Sequence, residues 1–187
     1  MKKLDNKIIC FEHLPRTGGG SVNSALRLHY GKDFSNFSER SSAKIIHGHR
    51  AFLKTRESEN ISYFTFLRHP KDHVISRFKH KASGLKSKHF KKIKKGVSLK
   101  EYLEKGYSKD LNNGIIRRIS GINFPYGECN EEIYQKTLSM IEKRFFFIGI
   151  TELFNQSILG LSKILNWKSY PLYLRKHKSE ENKRIRE

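Results

Sequence analysis

Three short stretches of this 187-residue sequence carry residue types that could do chemistry together. The first is His13-Leu-Pro-Arg-Thr-Gly-Gly-Gly-Ser21. Arg16 brings a permanent cation with forked donors. Thr17, Gly18, Gly19, Gly20 and Ser21 follow as a turn whose amides can face inward, because glycine lacks the Cβ that blocks positive φ and close approach of a ligand. Ser21 is expected to cap a helix, and a strand, a glycine turn and a helix N-terminus together suit a phosphate. The second stretch places Arg68 just after an apolar run and Ser76 on the helix beyond it, a second place for a phosphate. The third is His47-Gly-His49. Imidazole titrates near neutrality, so His49 could act as general base toward a hydroxyl. A nucleoside phosphorylated at two positions would fill both anion sites.

The loop differs from that of nucleotide kinases, which place a Lys directly before the capping Ser or Thr. Gly20 holds that place here, and the cation comes earlier, at Arg16. No magnesium-binding carboxylate is evident, which weighs against a P-loop kinase or hydrolase.

The elements that must position these residues follow from the hydrophobic pattern. Lys7 to His13, Ala43 to His49, Ile61 to Leu67 and Phe145 to Ile150 read as strands. Helices are expected over Ser21 to Tyr30, from Pro70 onward, from Ser98 to Glu104, Asp110 to Gly121, Glu131 to Arg144 and Glu152 to Trp167. Asp33 to Ser42 and Arg50 to Asn60 are expected to be loops. Alternating strands and helices indicate an α/β fold with a mainly parallel sheet. Such sheets bind ligands beyond the C-terminal ends of their strands. Arg16, His49 and Arg68 each fall just past a strand end, so three distant stretches would converge on one crevice.

Bulk composition narrows the partners. The length fits one domain, with no repeat or linker dividing residues 1–187, and 12% aromatic residues argue against disorder. The formal net charge of +20 predicts attraction to polyanions. Between His73 and Lys100 no acidic residue occurs, while Arg77, Lys79, Lys81, Lys86, Lys88, Lys91, Lys92, Lys94 and Lys95 crowd together. That segment is a candidate landing surface for an anionic substrate. A basic nucleic-acid-binding module would explain the charge too, but the aromatic interleaving of a stacking platform is missing, and no specific nucleic acid is expected. Two cysteines, Cys10 and Cys129, are too few for a disulfide scaffold or a zinc site, and no metal is expected. No signal peptide or membrane span is read in the sequence, so a cytoplasmic protein is expected.

With those residues in hand, the chain resembles the carbohydrate sulfotransferases, the group that includes the heparan sulfate 2-O- and 6-O-sulfotransferases. His13 to Ser21 resembles their 5′-phosphosulfate loop. Phe66-Leu-Arg-His-Pro-Lys-Asp-His-Val-Ile-Ser76 resembles their 3′-phosphate motif, with Arg68 and Ser76 at the binding positions. His47-Gly-His49 resembles the segment holding the catalytic base of the 2-O enzymes. Asn113 to Gly121 and Phe147 to Phe154 are similar to further family stretches, and Leu174-Arg-Lys176 to a cofactor-loop segment, which adds Arg175 and Lys176 to the cofactor-binding set. The resemblance implies a three-layer, P-loop-like α/β fold. It also implies transfer of a sulfuryl group from 3′-phosphoadenosine 5′-phosphosulfate (PAPS) to a hydroxyl of a glycan acceptor, an anionic one given the charge, with 3′-phosphoadenosine 5′-phosphate (PAP) as product. His49 would be the base, His47 its aid, and Arg16 the stabiliser of the leaving phosphate, without a metal. Three positions depart from the pattern: Arg16 stands where Lys is usual, His69 where Asp is, and His73 where Arg is.

Overall fold

The near-continuous apolar run Ile61-Ser-Tyr-Phe-Thr-Phe-Leu67 needs cover on both faces, and it receives it. A computed structural model describes residues 4, 7–39, 43–55, 58, 60–83, 93 and 96–175. Five strands form one sheet: β1 (Ile8–Glu12), β2 (Phe34–Asn36), β3 (Ile45–Gly48), β4 (Ile61–Leu67) and β5 (Phe145–Ile150). Their spatial order is β2-β3-β1-β4-β5, and every pairing is parallel. The fold is α/β, with helices on both faces of the sheet.

Alternation along the strands sorts the core into two layers. Phe11, Phe64 and Phe66 point one way, among Val22, Ala25 and Leu26 of α1 (Gly19–Tyr30) and Ile158 and Leu161 of the last helix. Cys10 and Tyr63 point the other way, with Phe52 of α2 (Ala51–Thr55), and with Ile119 and Phe145. The rings of Phe11 and Phe64 stack across neighbouring strands with centroids 5.0 Å apart.

The remaining helices are α3 (Pro70–Ser83), α4 (Leu99–Glu104), α5 (Gly114–Ser120), α6 (Glu131–Arg144) and α7 (Phe154–Ile164). Ser98 caps α4, its side chain accepting from the amide of Glu101, and Asn130 caps α6 by accepting from that of Ile133.

Five expectations change. Gly18, with φ +83°, is the residue before α1, and no side chain caps that helix; Ser21 sits inside its first turn. The stretch read as a loop after Asp33 contains β2, and the one after Arg50 contains α2. The helix expected over Asp110 to Gly121 is broken. Asn113 adopts φ +52°, and the Asn112 carbonyl and side-chain oxygens accept from Arg117, which competes with a continuous helical ladder. The last helix starts at Phe154 after a tight turn and stops where Asn166 turns left-handed.

No helix among the described residues is long and apolar enough to cross a membrane.

Candidate functional site

β3, β1 and β4 lie side by side at the centre of the sheet, so the residues after their C-terminal ends meet at one place. A cavity of about 620 Å³ opens there. Arg16, Gly18, Gly19, Gly20, Ser21, His49, Arg68 and Arg175 line it, and of these Arg16, His49 and Arg68 are the three expected to converge from strand ends. Lys176 lies outside the described residues.

The loop after β1 is held from several sides. Pro15 and Arg16 form a turn in which Arg16 itself has φ +68°, a region that a non-glycine residue enters at a cost of about 1–3 kcal/mol. Thr17 is fully buried and faces inward, its hydroxyl donating to Leu14 O at 2.9 Å, so it supports the loop from behind. His73 Nε2 donates to Pro15 O at 3.0 Å. Thr151, at the end of β5, sets its hydroxyl 3.0 Å from Thr17 O and 2.8 Å from Leu67 O. Of the three glycines only Gly18 uses positive φ. Gly19 is required for another reason: a Cβ there would lie 2.0 Å from His13 Nε2.

The two phosphate motifs touch each other. Arg16 Nε donates to Ser76 Oγ at 3.0 Å, and Arg68 Nη1 donates to Arg16 O at 3.3 Å. Ser76 is buried behind Arg16 rather than on the cavity wall, so its hydroxyl aims the Arg16 guanidinium. The pKa of Arg16 is lowered, first by burial and then by the cations of Arg68 and Arg77. Like charges gathered this closely repel, and an anion between them relieves the repulsion. Arg68 Nε is buried without a hydrogen-bond partner among the described residues, with Glu152 Oε1 3.9 Å away. Glu152 is the one carboxylate among the described lining residues, and it accepts from the His69 amide at 3.0 Å. An orphaned guanidinium donor, a second arginine and an amide-rich turn fit a ligand carrying more than one negative charge.

His49 is exposed at the cavity edge. Its Nδ1 lies 2.5 Å from His13 O. A carbonyl can only accept, so Nδ1 carries a proton, and in the neutral ring that leaves the lone pair on Nε2. The His13 ring stacks on that of His49 with centroids 4.4 Å apart. Burial first, then His49 and His47, push the pKa of His13 down to about 3, so it is neutral at physiological pH.

His47 is placed differently. It stacks on Phe34, faces Asn23 Nδ2 with its Nδ1 at 3.3 Å and does not line the cavity. Burial, then Arg27 and His49, lower its pKa to about 4. The group that orients His49 is the carbonyl of His13, and no residue pattern marks that in advance.

Sequence reasoning also missed Glu152, Asn155 and Tyr173, which reach the cavity only through tertiary packing. Tyr173 donates to Asn155 Oδ1 at 2.6 Å and packs on Phe154, and the Leu174 amide donates to Ser24 Oγ, so the segment after α7 lies along the cavity rim and carries Arg175 to it.

The described start of the basic segment after His73 is less open than its composition implies. Arg77 is buried and contacts Asp110 at 2.5 Å, and Lys81 and Arg118 approach the same carboxylate at 3.6 and 3.5 Å. Its acidic partner comes from beyond the segment. Lys86, Lys88, Lys91, Lys92, Lys94 and Lys95 lie outside the described residues. Among the described residues no group of His, Cys, Asp and Glu is arranged to hold a metal ion.

Compared with known proteins, the chain matches no family model, and no curated protein matches it.

Proposed function

We propose that this chain is a sulfotransferase that binds PAPS and sulfates a hydroxyl of a glycan, an anionic one in view of the net charge of +20. One observation carries the reading: Arg16, Arg68 and His49, from three distant stretches, share a cavity whose described lining sets three arginines, Arg16, Arg68 and Arg175, against one carboxylate, Glu152. Arg16, the amides of Gly18 to Ser21, Arg68 and Arg175 would hold the nucleotide, with Ser76 setting the angle of Arg16. When bound, PAPS supplies the sulfuryl group, its bond to the 5′-phosphate oxygen breaking as the acceptor oxygen attaches.

The chain's own residues do the rest. His49 Nε2 takes the proton of the acceptor hydroxyl, while the Nδ1–H bond to His13 O fixes the ring in the tautomer this needs. Arg16 stabilises negative charge growing at the departing phosphate but retains its proton. His47, behind the cavity wall, supports the strand end rather than taking part. The two cysteines are both free, which suits a reducing, cytoplasmic setting.

Two measurements test this. In calorimetry, PAP should bind at least about tenfold more tightly than AMP or ATP, a difference of roughly 1.4 kcal/mol. Equal binding of all three, with magnesium-dependent hydrolysis of ATP, would instead indicate a nucleotide hydrolase. His49→Ala should abolish sulfate transfer to a glycan while leaving PAP affinity near normal, and full activity in that variant overturns the role of His49.

A further inference from the structure

Immediately before the phosphate loop, β1 ends in a carboxylate. Glu12 is 1% exposed and lies on the face of the sheet opposite α1. Its two oxygens each accept one backbone N–H at 2.8 Å, Oε1 from Arg50 and Oε2 from Phe52. Those amides open α2, the helix that follows His49. The turn between them is strained, since Arg50 has φ +60°.

The last two residues of this strand end therefore grip the 48–52 turn four times. The His13 amide donates to Gly48 O at 3.0 Å, and His49 Nδ1 donates to His13 O. Glu12 makes the other two bonds. The His13 pair uses main-chain atoms of residue 13, which remain available whatever side chain stands at residue 12, but His49 reaches them only while the turn keeps its angle. The Glu12 pair depends wholly on that carboxylate.

Energetics argue against a filler role. Burying an ionised carboxylate costs several kcal/mol even after relaxation, and an apolar residue of similar volume is often as stable or more so. Neighbouring positions on this face are filled by Cys10, Ile46, Phe52 and Ile119. A carboxylate at this point is explained by what it holds. Without it the Arg50 and Phe52 amides lose their partners, and the strained turn loses the contact that sets its angle.

We propose that Glu12 is a positioning residue, whose carboxylate holds the 48–52 turn so that His49 keeps Nδ1–H on His13 O and presents Nε2 to the cavity. The role of His49 as base rests on the function proposed above, but its geometry does not. The test therefore includes a reading that needs no turnover. Long-range ¹H–¹⁵N spectra of the full chain with PAP bound should show His49, assigned by the signal lost in His49→Gln, in the Nδ1–H tautomer. In Glu12→Gln the same ring should become a mixture of tautomers, and the Arg50 and Phe52 amide signals should move. PAP affinity should change less than about threefold, while kcat falls by about 10- to 100-fold.

A folded Glu12→Gln with an unchanged His49 tautomer and full kcat overturns the proposal, as does an equal loss of PAP affinity and kcat. Should Glu12→Gln fail to fold, Glu12→Asp takes its place in the same spectra. Its carboxylate is one methylene too short for both amides, so the Nδ1–H form should again weaken, and an unchanged ring overturns the proposal. A wild-type chain that shows the tautomer and its loss in Glu12→Gln but transfers no sulfate would support the positioning and refute the enzyme.

Discussion

Gly19 shows how little room the loop leaves at the residue scale. A Cβ there would meet Nε2, Cδ2 and Cε1 of His13 at 2.0, 2.1 and 2.9 Å, so the imidazole would have to move. That ring is stacked between Phe11 and His49, with centroids 5.4 and 4.4 Å away, and displacing it disturbs both. Gly19→Ala should therefore lower stability by about 1–3 kcal/mol, the usual cost of overpacking. It should also weaken PAP binding at least tenfold, because the amides beside it move with the ring. Denaturant melts and calorimetry measure the two effects, and an Ala variant with wild-type values for both would show that the ring is free to swing away. Gly18→Ala acts through its backbone instead: φ is +83°, and the added Cβ would lie 3.0 Å from the Phe154 ring.

At the scale of elements, Asp110 decides how α3 sits against α5 and the turn before it. One carboxylate serves Arg77 and Lys81 from α3 and Arg118 from α5. Its pKa is lowered because those three cations outweigh the effect of burial. Asp110→Asn would leave Arg77, with 9% of its side chain exposed, uncompensated among like charges. The expected loss is about 2 kcal/mol, below the roughly 3–5 of a fully buried pair because Asp110 itself is 36% exposed. An unchanged melting curve would mean that water already solvates the cluster. The same interaction shows what a sequence conveys and what it withholds. β4, β5 and α6 were legible because continuous apolar runs and 3.6-residue periodicity depend on local residues alone. β2 was not, since only Phe34 of its three residues is buried and its partner strand lies beyond a polar stretch. Arg16, His49 and Arg68 were legible as one site because parallel strands deliver their C-terminal residues to one edge. Glu12, His13, Asp110 and Glu152 were not, since each acts through a residue distant in sequence.

Across the whole molecule, charges buried near the site set how stability responds to pH. His13 and His47 have pKa values pushed down to about 3 and about 4, chiefly by burial, from an ordinary 6.5. Below pH 6.5 the unfolded chain takes up protons that the folded one refuses, so acidification lowers stability. Glu12 pulls the other way. Burial raises its pKa from 4.5 to about 7 against the opposing pull of the Phe52 and Arg50 amides and Arg118. Between pH 7 and 4.5 the folded chain holds a proton there that the unfolded chain has lost, so acidification favours folding. Other groups facing Glu12 do not titrate in this window: Cys10 and Tyr63 are raised further and stay neutral, and Arg118 stays cationic. Burial also lowers the pKa values of His73 and His29, so the histidines together outweigh the one carboxylate. Net stability should fall from pH 6.5 to 4.5, by on the order of 1.4 kcal/mol per unit for each proton by which the histidines outnumber it, and by less to the extent that solvent reaches His47 and His29. Below 4.5 Glu12 no longer offsets the histidines, so the fall should steepen. Glu12→Gln removes the opposing group and should make the decline between pH 6.5 and 4.5 steeper than in wild type. Urea melts at pH 7, 5.5 and 4.5 on both chains decide it, and a wild-type protein that gains stability on acidification would mean that the carboxylate, and not the histidines, governs the charge balance at the strand ends.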